Sequence, residues 1–138
     1  MNSRAQVSLE YLIILAAFFA VLAVTLPAAA SATNQFFGAS DAMLAKSISQ
    51  QVQEQENLFH FLGDGSAVTL EFVPAKLVSI YSEGNELVII GGEKEFRSTL
   101  KSPQLIPRQD FSSKFFVALK KVGGFTTITA TGTAPQLN

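Results

Sequence analysis

The chain has 138 residues, a formal net charge of −1 and no cysteine. That length allows one soluble domain at most beside an N-terminal segment. The charge offers no general basic face for nucleic acid, and the missing thiols exclude disulfides and thiolate metal sites.

The N-terminus is the most informative stretch. A short leader, Met1-Asn-Ser-Arg-Ala5, places Arg4 and the initiator amine ahead of Gln6-Val-Ser-Leu-Glu10. From Tyr11 to Leu26 there is no charge, and Thr25 is the only clearly polar side chain. With Pro27 and the alanines to Ala30 the run reaches about 20 residues, about what a helix needs to cross a bilayer. Arg4 on the leading side fits the cytoplasmic side of such a span.

Three readings of this stretch follow. A secretory signal peptide is one, with Ala30-Ser-Ala32 as its small-residue cleavage site. An uncleaved membrane anchor is another. The third rests on a resemblance. Gln6-Val-Ser-Leu-Glu10 followed by Tyr11-Leu-Ile resembles the Gln-x-Ser-x-Glu opening of archaeal class III signal peptides, found in type IV pilin-like proteins. The resemblance covers about 25 residues closely and the remainder only in layout. Ala5 stands where the family pattern has a glycine or a basic residue. The resemblance implies that a prepilin peptidase cuts between Ala5 and Gln6 and that the apolar helix stays on the mature chain. It also implies an assembly ATPase and a polytopic platform protein as partners, and a homo-oligomeric filament at the cell surface, built from subunits that wait in the membrane. Glu10 takes the part of the family's acid. A carboxylate at a membrane edge is costly and seeks a partner. Glu10 of one subunit is therefore expected to pair with the free Gln6 amine of a neighbour and set the register. Snorkelling of Glu10 to the headgroup region is the plainer alternative.

Pro27 predicts a kink or a short melted stretch, and the small residues Ala28 to Ala32 permit close helix approach. From Thr33 to Leu62 the pattern turns amphipathic. Phe36, Phe37, Leu44, Ile48, Val52, Leu58, Phe59 and Leu62 recur mostly at three- and four-residue steps. Gly63-Asp64-Gly65 supplies the stop. The spacing predicts one long helix from about Ser8 to Leu62.

Beyond Gly65 the signals switch to β. Ala67–Val73 alternates. Lys76–Tyr81 and Glu86–Ile90 flank a turn at Ser82-Glu-Gly-Asn85, Glu93–Leu100 adds a short strand, and Phe115–Lys121 and Phe125–Thr131 flank Val122-Gly-Gly124. Five or six short antiparallel strands are expected. A head of about 75 residues is marginal alone, so its apolar face is expected on the amphipathic half of the helix. The predicted class is α+β, a long N-terminal helix packed against a small antiparallel head. The segments are leader 1–5, membrane or filament-core helix 6–32, amphipathic helix 33–63 and head 64–138.

Little chemistry is expected. His60 is the sole histidine and sits beside Phe59 and Phe61, so a surface position suits it better than catalysis. One histidine with scattered acids gives no metal-ligand spacing. Gly91-Gly92 and Gly123-Gly124 lack a following Lys-Ser/Thr and read as turns, not phosphate loops. Lysines and arginines between Glu93 and Lys121 read as a solvated face. No enzyme activity and no cofactor are expected. The function that follows is a structural pilus-like subunit with a head suited to adhesion or lattice contacts. The alternative is a secreted or tethered β module that binds a ligand and never polymerises.

Overall fold

The computed structural model describes the backbone of residues 3–133 and the side chains of residues 8–133. Residues 1–2 of the leader, the side chains of residues 3–7, Ala5 and Gln6 among them, and residues 134–138 lie outside what is described. Among the described residues the fold is α+β: one long helix, α1 (Ser3–Phe59), then seven strands. These are β1 (Ala67–Phe72), β2 (Val78–Glu83), β3 (Glu86–Gly91), β4 (Lys94–Thr99), β5 (Gln109–Phe111), β6 (Phe115–Val122) and β7 (Phe125–Thr131). The chain divides into two compact units, Met1–Phe36 and Phe37–Asn138. The second unit holds the later part of α1 together with every strand.

The strands form two antiparallel sheets, where the pattern predicts one sheet of five or six strands. One sheet has the order β1-β6-β7, the other β4-β3-β2-β5. The extra strand is β5, only three residues long, which pairs with Val78–Ile80 of β2. So short a segment has no alternation to read. Pairing between β1 and β6, distant in sequence, is equally invisible to local pattern.

Alternation gives each sheet an inner face. Val68, Leu70 and Phe72 of β1 join Phe115, Val117 and Leu119 of β6 and Ile128 and Ala130 of β7. From the other sheet come Val78, Ile80, Leu87 and Ile89. Helix residues Ala45, Ile48, Val52 and Phe59 close the same core. The predicted stripe is thus right at Ile48, Val52 and Phe59, while Phe36, Leu58 and Leu62 lie on the surface. The helix also ends earlier than predicted. Its last turn tightens to i→i−3 bonds, from His60 N–H to Asn57 O and from Phe61 N–H to Leu58 O. Lys121 Nζ then donates to the carbonyls of Phe59 (2.8 Å), which also accepts the Leu62 N–H, and Leu62 (2.6 Å). A lysine at this position satisfies exposed acceptors and suits the negative end of the helix dipole.

Two contacts hold the helix against the sheet at close range. At Gly91, a Cβ would lie 2.1 Å from the Asp41 carbonyl oxygen and 2.8 Å from Ala45 Cβ. At Gly92, which has φ +62°, a Cβ would lie 2.4 Å from the Gly38 carbonyl oxygen. The Gly91-Gly92 pair does mark a turn, and its absent side chains also let the helix backbone approach. Asp41 is 1% exposed. Its carboxylate accepts the backbone N–H groups of Ala75 (2.7 Å), Lys76 (2.9 Å) and Leu77 (3.0 Å). Those residues connect β1 to β2, so one helix side chain satisfies the link between the sheets.

A second bridge comes from the β4–β5 loop. The Gln104 side chain donates to Thr126 O and accepts from Ile128 N–H (2.6 Å), taking the place of a neighbouring strand along β7. Its own carbonyl accepts from the Ser82 hydroxyl (2.6 Å), which in turn accepts the Ile106 N–H (2.7 Å). On the outer face of the β4-β3-β2-β5 sheet, Arg97 contacts Glu83 (3.0 Å), Glu86 (3.0 Å) and Glu95 (2.5 Å). Hydrogen bonds to Glu86, Glu95 and Glu83 hold its guanidinium above the ordinary range. These groups are about half exposed, so the cluster adds little stability. At the other edge of this sheet, a hydrogen bond from the Ser79 hydroxyl (2.5 Å) lowers the Asp110 carboxyl below its ordinary value, with Arg108 assisting.

Candidate functional site: the unburied apolar helix

The first unit contains the feature that needs explaining. Within α1, the stretch Ser8–Phe36 has no buried residue, and only Leu22 is even partly covered. Tyr11 and Val24 are each 72% exposed, and Ile14 is 66% exposed. Leaving a Leu, Ile or Phe side chain in water instead of burying it costs about 1.5–3 kcal/mol each. A run of them cannot rest in water as a single chain. By length and composition the segment can cross a membrane.

The segment also carries its own polar groups economically. Thr33 Oγ1 donates to Ala29 O at 2.9 Å, and Thr25 Oγ1 to Leu22 O at 3.4 Å. Such i−3/i−4 bonds satisfy hydroxyls where no water is available. Pro27 lies inside the helix, and helical structure continues through it, with no melted stretch. Its missing N–H leaves the Ala23 carbonyl without a helical donor. Phe18 and Phe19 meet edge to face, with centroids 5.9 Å apart.

Glu10 is exposed at the leading edge of this stretch, and among the described residues it has no ion-pair partner. The expected partner, the Gln6 amine of another subunit, lies outside what is described. His60 is exposed and stacks edge to face on Phe61 (5.4 Å between centroids), as a surface residue would. Among the described residues no group of His, Asp and Glu is placed to hold a metal ion.

Sequence reasoning passed over Asp41, Ser49 and Ser98 and read Glu56 only as a partner for the basic side chains of the head; all four are buried. Glu56 accepts the Lys101 N–H at 2.7 Å, and Ser49 bonds Ser98 side chain to side chain. A signal existed. Positions 41, 45, 48, 52, 56 and 59 fall at three- and four-residue steps, so two acids sat on the apolar stripe. Buried acids need partners, and here those partners are backbone amides. Comparison of the chain with known protein families, with curated proteins and with solved structures finds no match.

Proposed function

We propose that this chain is a structural subunit of an archaeal type IV pilus-like filament. A prepilin peptidase cuts between Ala5 and Gln6, and the mature subunit is held in the membrane by its apolar helix. An assembly ATPase and platform protein then draw it into a filament, where the helix exchanges lipid for the helices of its neighbours. The observation that carries this reading is the stretch Ser8–Phe36, long, apolar and unburied, with Glu10 at its leading edge. Lipid and a bundle of like helices are similar solvents for such a segment. The Gln6-x-Ser8-x-Glu10 spacing supports the same reading.

The mass of the mature chain from its native host tests it. A mature N-terminus at Gln6, with filaments in the electron microscope, is the expected result. Glu10→Ala is then expected to leave processing intact and to reduce assembled filament at least tenfold. Unchanged assembly would remove the register role of Glu10. A mature chain that starts at Thr33 would instead mean a secreted β module that never polymerises. Phe37–Asn138 forms a compact unit with its own core, which that second reading requires.

A further inference from the structure

We propose that the Tyr11 hydroxyl of one copy of this chain donates a hydrogen bond to the Ala23 carbonyl of a neighbouring, parallel copy, and so fixes how far adjacent helices are offset along their axes. The inference rests on the filament reading and adds a second polar contact to the one assigned to Glu10. Two lone polar groups in the apolar run carry it. Pro27 has no N–H, so the Ala23 carbonyl, four residues before it, lacks its i+4 donor although helical structure runs straight through. Tyr11 is 72% exposed, and among the described residues its hydroxyl has no hydrogen-bond partner. One group is a donor without an acceptor and the other an acceptor without a donor. They are twelve residues apart, about 18 Å along the helix, so they cannot meet within one chain.

Hydrogen-bonding complementarity chooses a second copy as the partner. A backbone carbonyl freed by proline is costly in a medium without water, and such prolines are tolerated where a nearby group satisfies the carbonyl. From Tyr11 to Ala30 the only side-chain donors are Tyr11 and Thr25. Thr25 Oγ1 already donates to Leu22 O of its own helix. Tyr11 remains, and its ring carries the hydroxyl across the ~8–10 Å between the axes of packed helices. In the membrane-held subunit Tyr11 can sit at the headgroup boundary, where water serves its hydroxyl. The Ala23 carbonyl lies deeper in the same span, and lipid offers it nothing. Assembly into a bundle of like helices brings the missing donor. In parallel copies the bond sets Tyr11 of one helix near the level of Ala23 of the next. The offset is about 18 Å, and somewhat more because a helical tyrosine leans back toward the N-terminus.

Filaments from the native host test this. Tyr11→Phe removes the hydroxyl and keeps the ring, and is expected to lower the ratio of assembled to membrane-held chain about fivefold. Pro27→Ala returns an N–H to the Ala23 carbonyl, and in that background Tyr11→Phe is expected to change nothing. Positions 11 and 27 are about 24 Å apart in one helix, so coupling between them acts only from copy to copy. No loss from Tyr11→Phe overturns the proposal. So does an equal loss in both backgrounds, because the hydroxyl then serves another acceptor, Glu10 included. Should Pro27→Ala fail to assemble, cross-linking decides. The chain has no cysteine, so Tyr11→Cys/Ala23→Cys carries two thiols about 18 Å apart, beyond a bis-maleimide with a spacer of about 8 Å. The expected result is a ladder of cross-linked oligomers that neither single variant gives, and monomers and dimers alone overturn the proposal. A mature chain that starts at Thr33 lacks both groups and ends the filament reading together with this one. Normal filaments with neither coupling nor ladder end this one alone.

Discussion

Gly91→Ala is expected to lower the melting temperature of the head by about 10 °C or more, measured by circular dichroism on the detergent-solubilised chain. The added methyl would sit 2.1 Å from the Asp41 carbonyl oxygen, inside any tolerable contact. That oxygen belongs to the helix backbone, so no rotamer change relieves the clash, and α1 has to lift from the sheet. Forcing a methyl group into packed space typically costs about 1–3 kcal/mol and sometimes more. A rigid obstacle places this case at the upper end. Ala45→Gly would remove only the second contact, at 2.8 Å, and is not expected to rescue the variant. Gly38→Ala should move the opposite way. Nothing lies within 4 Å of a Cβ there, and alanine gains about 1 kcal/mol over glycine inside a helix. Opposite signs for two glycines on the two sides of one helix–sheet interface would be hard to explain except by this geometry.

Asp41→Ala is the second large effect, with an expected loss of about 3 kcal/mol or more in chemical denaturation. The substitution removes the acceptor shared by the N–H groups of Ala75, Lys76 and Leu77 and empties a buried helix position. A hydrogen bond to a charged acceptor is worth about 1.5–3 kcal/mol, and here three are lost together. Asp41→Asn, nearly the same shape, should recover little. One carboxylate oxygen serves Ala75 and the other serves both Lys76 and Leu77. An amide nitrogen in either place would face donors with a donor. Near-wild-type stability of Asp41→Asn would mean that shape, and not acceptor count, is what the site needs.

These two sites also define what was legible in the sequence. The switch from an all-round apolar helix to an amphipathic one is a matter of period, and it located Ile48, Val52 and Phe59 correctly. Strong turn signals placed the β2–β3 and β6–β7 hairpins. Division of the strands between two sheets was not legible, because it depends on β1 finding β6 and β5 finding β2 across long stretches of chain. Gly91 read as punctuation because only the folded helix reveals what occupies the space above it. Asp41 was legible in principle, as an acid on an apolar stripe, but its partners are backbone groups that carry no residue signature. The candidate site fared better than the head, since membrane-length hydrophobicity is a local property and needs no tertiary partner to be recognised.

The Asp41 clasp has one more consequence. Ala75, Lys76 and Leu77 lie outside every strand, where backbone protons ordinarily swap with solvent within short-lived local openings. The acceptor these three N–H groups share is anchored in a buried helix position, so releasing them from it means detaching the helix from the sheets. In deuterated solvent this connector should therefore keep its protons as long as the most protected strands do, behaving kinetically as core although it is drawn as loop.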